Sequence, residues 1–268
     1  MPTVEVGDIE MFYQEQGAGD PVILITGLGG VGASWGPQIP LFAKDSRTIV
    51  PDHRGTGKTS APETGYTIQQ HAADMAGLLR VLKATPAHIV GASTGGAIGM
   101  VMALEHPDTV RSLVLVGTWA KTDHYFRRLF GLRKRALQEF GYAEALEYGN
   151  LFLYSPAYLR THWDEVARVE AALKANPPDT PVAVKRIDMI LAHDVLDRVK
   201  DIRHPSSIVV GERDMVTPVY FSEELRRHMP HAELHVVPDV GHFAYLEKPE
   251  VFHQTVRDFL RKVPAVRR

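Results

Sequence analysis

Three residues in this sequence have the types and settings needed for nucleophilic catalysis: Ser93, Asp214 and His242. Ser93 lies in Gly91-Ala92-Ser93-Thr94-Gly95-Gly96, directly after the apolar run Ala87 to Val90. A serine on a sharp strand-to-helix turn presents its hydroxyl clear of the backbone, and Cβ atoms two residues to either side would collide; Gly91 and Gly95 remove them. The helix expected next points the positive end of its dipole at the serine, favouring negative charge that develops there. Taken alone, the pentapeptide also reads as a glycine turn with a serine helix cap. The strand before it and the helix after it favour the nucleophile.

A serine hydroxyl is a weak nucleophile; it needs a base, and the base needs a carboxylate to fix its tautomer. Gly211-Glu212-Arg213-Asp214 follows the run Ile208 to Val210, which places Asp214 on a loop at the carboxyl end of a strand. Glu212 is the local competitor, nearer the strand. Gly241-His242-Phe243 follows Leu234 to Val237, so His242 is also on a loop at that edge, although one histidine of 13 could simply be solvated. An oxyanion hole requires two converging backbone amides. Thr94, next to the nucleophile, offers one. Leu28, in Thr26-Gly27-Leu28-Gly29-Gly30 after the run Val22 to Ile25, offers the other. The same loop contains Gly27, Gly29 and Gly32 in the spacing of a dinucleotide fingerprint, but the segment lacks a helix start combined with a clean ribose-binding acid after a second strand, and Trp35-Gly36-Pro37 disturbs the opening of the helix.

The elements that must position these groups are legible in outline. Val4, Val6, Ile9, Met11 and Tyr13 alternate with polar neighbours, as in antiparallel strands with one solvated face. Val22–Ile25, Thr48–Val50, His88–Val90, Leu113–Val116 and Ile208–Val210 are instead short continuous apolar runs, as in a parallel sheet buried on both faces. Thr67 with Gln70 predicts a capping box opening a helix to about Lys83, and Pro249 to Lys262 predicts a final helix. Strand–helix alternation means a doubly wound α/β fold. From 120 to 203 the β-branched runs stop and helical pattern is dense, over Tyr125–Phe140, Tyr142–Phe152, Thr161–Asn176 and a further stretch ending near Val199. The expected organisation is a core of residues 1–119 and 204–268 with a helical cap inserted at 120–203.

With those segments in place, the chain from about Met11 to Lys262 resembles the α/β-hydrolase superfamily. The order serine, aspartate, histidine is that family's order. Pro51-Asp52-His53-Arg54-Gly55-Thr56-Gly57 is similar to its loop after the fourth strand, and Ala244-Tyr245-Leu246-Glu247-Lys248-Pro249 to its sequel to the catalytic histidine. The family often carries His-Gly at the oxyanion loop, where this chain has Thr26-Gly27. Where some members place the acid after the sixth strand, this chain reads Gly117-Thr118-Trp119, which keeps Asp214. The resemblance implies an α/β-hydrolase fold with a mostly parallel eight-stranded sheet, a Ser93–His242–Asp214 triad, an acyl-enzyme mechanism and no cofactor.

Other motifs are weaker. Gly55-Thr56-Gly57-Lys58-Thr59 looks like the end of a phosphate loop, but Asp52 stands where the pattern needs glycine. His228, His231 and His235 span a helix end, a turn and a strand, so they need not converge on a metal. Arg127, Arg128, Arg133, Lys134 and Arg135 read first as a solvated helix face, with Arg127 or Arg128 as candidates to hold a substrate carboxylate. The aromatic residues of the cap are mostly packing, with Trp119 and Tyr154 as candidate pocket residues.

Composition removes several function classes. The chain has no cysteine, which excludes disulfides and cysteine nucleophiles. A formal net charge of −2 gives no electrostatic reason to expect nucleic acid or an anionic membrane. No apolar run approaches the ~18 residues of a membrane span, and the N-terminus lacks the pattern of a signal peptide. The expectation is a cytoplasmic protein acting on a small-molecule substrate, with a homodimer compatible. The stretch from Arg127 through Leu151-Phe152-Leu153-Tyr154 and Pro156 is similar to aminoacrylate hydrolases of pyrimidine breakdown, and more loosely to enol-lactone hydrolases. That implies a small acidic catabolic substrate with a C–N or C–O bond to cleave. Two readings compete: C–C hydrolysis, lyase or perhydrolase chemistry on the same fold, and a ligand-binding relative without catalysis, which a complete triad disfavours. The aspartate nucleophile of dehalogenases and epoxide hydrolases is replaced here by Ser93.

Overall fold

The computed structural model describes residues 2–264. Its strands are β1 (Thr3–Val6), β2 (Ile9–Gln16), β3 (Asp20–Ile25), β4 (Ser46–Pro51), β5 (Ala87–Ala92), β6 (Val110–Val116), β7 (Ser206–Gly211) and β8 (Glu233–Val237). They form an eight-stranded sheet in the order β1-β2-β4-β3-β5-β6-β7-β8. The alternating N-terminal segment pairs antiparallel, β1 with β2 and β2 with β4. The continuous apolar runs pair parallel, from β4 across to β8.

Successive residues of a strand point to opposite faces, and the core divides on that parity. Ile23, Ile25, Ile89, Leu113, Leu115 and Ile208 enter one cluster. Val22, Leu24, Val90, Val114, Val116 and Val209 enter the other, against Trp35, Tyr245 and Phe252. Both faces are therefore dry, which is why these strands read as unbroken apolar runs.

The helices are α1 (Ile39–Phe42), α2 (Ile68–Val81), α3 (Thr94–Glu105), α4 (His124–Glu139), α5 (Tyr142–Leu153), α6 (Pro156–Ala175), α7 (Thr180–Leu191), α8 (Val219–His228), α9 (Ala244–Glu247) and α10 (Pro249–Lys262). Thr67 caps α2 by accepting from the Gln70 amide at 3.0 Å, but the Gln70 side chain donates to Asp74 instead of returning to Thr67, so only half of the capping box forms. Between β6 and β7 the chain runs through α4 to α7. Here α6 starts earlier than the Thr161 periodicity suggests. Ser155 caps it, Pro156 supplies the first position, and His162 (φ −125°, ψ 25°) is non-helical, so a kink divides the helix. At its far end α7 stops at Leu191, and the chain reaches Val199 only as a short 3-10 turn. No helix of the described residues is long and apolar enough to cross a membrane.

Because β3 and β5 through β8 are parallel, their carboxyl ends share one edge of the sheet. The loops carrying Leu28, Ser93, Asp214 and His242 all leave from that edge.

Candidate active site

Ser93 turns the chain from β5 into α3 with φ 54° and ψ −116°, a left-handed conformation that costs a non-glycine residue strain. The surroundings compel it. The Ser93 amide donates to the Val116 carbonyl at 2.7 Å, and the Ser93 carbonyl accepts from Thr118 Oγ1 at 2.8 Å. A Cβ on Gly91 would stand 2.2 Å from the Gly95 carbonyl oxygen, and one on Gly95 would stand 2.1 Å from that of Ile25. Both glycines are sterically required.

The His242 Nδ1 and Asp214 Oδ2 atoms are 2.8 Å apart, and both side chains are buried. Asp214 is held on every side: Oδ1 accepts the amides of Val216 and Thr217, each at 2.8 Å, and Oδ2 accepts Thr217 Oγ1 at 2.9 Å. Glu212, the sequence competitor, is exposed and accepts the Asp239 amide at 3.1 Å, away from the histidine. The end of β6 gathers these groups. Val116 binds the Ser93 amide, and at the next residue, Gly117 (φ 49°), a Cβ would stand 3.1 Å from Asp214 Oδ2 and 3.2 Å from His242 Nδ1.

The glycine-rich loop after β3 lies against the same serine: a Cβ on Gly27 would be 3.3 Å from Ser93 Cβ and 3.8 Å from its Oγ. Among the described residues, neither the Leu28 nor the Thr94 amide donates to a protein acceptor. A serine on a strained elbow, a buried imidazole on a buried carboxylate, and two free amides beside them can carry out acyl transfer.

A family profile described as the α/β-hydrolase fold matches residues 20–249. This chain belongs to the α/β-hydrolase fold family. It is a hydrolase. Among its relatives, a protein of Azorhizobium caulinodans provisionally named carbamate hydrolase RutD is 34% identical over 263 residues, covering 98% of this chain and 99% of the relative. A thermophilic esterase from Thermogutta terrifontis, solved with malate bound, superposes with a TM-score of 0.88 at 26% identity, covering 99% of this chain and 100% of that one. Est816, described as an N-acyl homoserine lactone degrading enzyme, gives a TM-score of 0.83 at 32% identity, covering 96% of this chain and 100% of its own.

The α/β-hydrolase frame does not gather every residue singled out from sequence. Trp119 has no accessible surface; it packs on Phe126 with ring centroids 4.4 Å apart and therefore lines no open pocket. Arg127 and Arg128 are both exposed, on the side of α4 opposite Phe126, Leu129 and Phe130, because residues one and two positions after Phe126 rotate off its stripe. Together with His124 and Arg135 they border a shallow depression of about 370 Å³ that contains none of Ser93, Asp214 and His242. A larger cleft of about 400 Å³, between the start of α2 and α7, also contains none of the three. Tyr154 is better placed: its ring packs edge-on against Phe243, next to His242, at 5.1 Å. The phosphate-loop lookalike is a turn held by Asp52, which accepts the amides of Gly32 (2.7 Å) and Lys58 (3.0 Å).

Two supporting residues escaped the sequence reading. Glu247 accepts the amides of Gly241 (3.1 Å) and Ser155 (2.8 Å) and the Ser155 hydroxyl (2.6 Å), tying the histidine loop to the start of α6. Arg186, on α7, is buried and donates to the Leu28 carbonyl through Nε (3.1 Å) and Nη2 (2.9 Å). It also reaches the Arg54 carbonyl at 3.3 Å, His71 Nε2 at 3.0 Å and His53 Nδ1 at 3.1 Å. Burial pushes its pKa down to about 10, which still leaves it charged at neutral pH. Burial, together with the Arg186 charge, pushes His71 down to about 3 and His53 well below the usual range, so both are neutral acceptors. The sequence carried one signal for Arg186: it stands four residues from Val182 and four from Ile190, on the apolar stripe of α7.

Proposed function

We propose that Ser93, His242 and Asp214 act as nucleophile, base and acid, and that the enzyme hydrolyses a small ester, lactone or carbamate-like C–N substrate that also carries a carboxylate. The observation that carries this reading is the buried 2.8 Å contact of His242 with Asp214 above the same strand end that holds Ser93. Names among the relatives support the bond class, which spans carbamate, ester and lactone. Malate in the Thermogutta esterase, a dicarboxylate, supports an acidic ligand.

His242 Nε2 takes the Ser93 proton as Oγ attacks the substrate carbonyl carbon. The oxyanion that forms is held by the amides of Leu28 and Thr94. His242 then passes the proton to the departing oxygen or nitrogen, leaving an acyl-enzyme. A water deprotonated by His242 attacks that ester, and collapse of the second intermediate returns the proton to Ser93 and frees the acid. Asp214 holds the imidazole in the tautomer with Nδ1 protonated and stabilises its positive charge. Helices α4 to α7 act in this reading as the cap over the substrate.

Labelling with a fluorophosphonate probe followed by peptide mapping tests the nucleophile, and turnover of esters, lactones, carbamates and ring-cleavage diketones tests the bond class. Label on Ser93 with ester or carbamate turnover is expected. An unlabelled Ser93, or turnover confined to diketones, would overturn the reading.

A further inference from the structure

Arg133 stands apart from the rest of the basic run in α4. It lies three residues after Phe130 and four before Leu137, on the inward stripe of the helix with Phe126 and Leu129. Its neighbours in the run are engaged or solvated: Lys134 pairs with Asp188 at 2.6 Å, and Arg135 stands 3.8 Å from Glu139. Among the described residues, Arg133 makes no ion pair and no hydrogen bond, and Tyr142 is the one titratable group whose charge acts on it. Burial raises the Tyr142 pKa, so that hydroxyl stays neutral and cannot be a counter-ion.

The guanidinium has a defined seat. A Cβ on Gly149 of α5 would stand 3.4 Å from Cζ and 3.6 Å from both Nε and Nη2. Near-equal distances of that kind place the glycine over the flat face of the group. The face is therefore covered and the N–H edge is free to bind in its plane. Arg133 remains half-buried rather than closed off, and none of its nitrogens is sealed from space that water can enter. The N–H edge therefore stays open to a ligand.

Helix α5 links this seat to the site. Leu153, one turn beyond Gly149 on α5 (about 6 Å along the axis), has the carbonyl that accepts the His242 amide at 2.9 Å. Unpaired charge in such surroundings is costly, and an anionic ligand relieves the cost.

We propose that Arg133 anchors an anion subsite, where a carboxylate of the substrate binds edge-on while its scissile carbonyl lies at Ser93. The proposal rests on the reading of Ser93 as nucleophile and names the residue that selects an acidic substrate. A planar carboxylate matches the two parallel donors of a guanidinium edge, which a neutral amide cannot do.

Monoethyl esters of malonate, succinate and glutarate, assayed against the matching ethyl ester amides, read the subsite as a ratio of kcat/KM. The wild-type enzyme should prefer the acid at its best chain length. Arg133→Gln should lower the ratio by on the order of 10- to 100-fold, mainly through KM, the size of a lost charge-assisted hydrogen bond. Arg133→Lys should restore part of it, and Arg128→Gln, on the outer face, should not change it. Should Arg133→Gln fail to fold, inhibition of the wild type by butyrate and butyramide gives the same comparison, with the carboxylate expected to bind at least about 10-fold tighter. An unchanged ratio in Arg133→Gln, or equal inhibition by acid and amide, overturns the subsite alone if the fluorophosphonate still labels Ser93. Absence of both labelling and ester cleavage overturns the nucleophile and the subsite with it.

Discussion

The guanidinium of Arg186, from α7, holds the carbonyl of Leu28 with two donors at 3.1 and 2.9 Å. The inserted helices thereby fix the loop that offers the proposed oxyanion amide. The common histidine of that loop is replaced by Thr26, whose hydroxyl is 2.6 Å from that of Ser34, so support comes from α7 across the site. Arg186→Met removes a buried charge that has no carboxylate to leave behind, but it frees the Leu28 and Arg54 carbonyls. The expected outcome is a kcat reduced about 10-fold or more with KM little changed, because the interaction matters most when the oxyanion forms. Steady-state kinetics with a thermal melt check this; an unaltered kcat with a lowered melting temperature would make Arg186 purely structural.

Asp214 and Glu212 lie two residues apart, yet only Asp214 touches His242. Asp214→Asn should reduce kcat by on the order of 10³–10⁴, as when a triad loses the carboxylate that sets the imidazole tautomer. Glu212→Gln should remain within about 2-fold of wild type, since surface substitutions of this kind change little. The reverse ranking in steady-state assays would reassign the acid.

Ser93 is held at φ 54°, where glycine is unstrained and alanine is not. At an ordinary position glycine is less stable than alanine, by about 0.4–1 kcal/mol, because it has more freedom in the unfolded chain. Relief of strain on the order of 1–3 kcal/mol outweighs that here. Ser93→Gly should therefore unfold in urea at a higher concentration than Ser93→Ala, with both variants inactive. A less stable glycine variant would mean that the elbow stores no strain.

Burial holds four histidines neutral: His71 is pushed down to about 3, His88 and His193 to about 4, and His53 well below the usual range. In the unfolded chain each titrates near its ordinary value of about 6.5. Between those values the unfolded state binds more protons, so the stability these groups contribute is complete above pH 6.5 and declines as pH falls towards 4. Urea midpoints should already fall between pH 6.5 and 5, above the range where most carboxylates titrate. His193→Leu should flatten that slope. A midpoint independent of pH in this window would count against neutral burial.

Much of the frame was open to reading. Parallel strands show as unbroken apolar runs because both faces are dry, and the serine turn shows because two glycines must flank it. The inserted helices were legible by period but not by boundary: Ser155-Pro156 opens α6 before the kink at His162, and apolar periodicity is visible only after it. Arg127 and Arg128 drew notice by type, whereas Arg133 and Arg186 take their significance from facing inward. A helical period indicates which stripe a residue joins, not what lies opposite.

The sequence by itself determined the fold family, the candidate nucleophile, and a choice of two acids on one loop, since strand pattern, glycine sterics and chain order are local properties. Only the tertiary structure put Asp214 rather than Glu212 against His242, brought Arg186 of α7 to the Leu28 carbonyl, and seated Arg133 on Gly149 one turn from the hold on His242. Each of these is a contact between segments far apart in the chain, made where parallel strand ends and the inserted helices meet. Side-chain chemistry is written in the sequence, but the partner each side chain meets depends on how distant backbones pack.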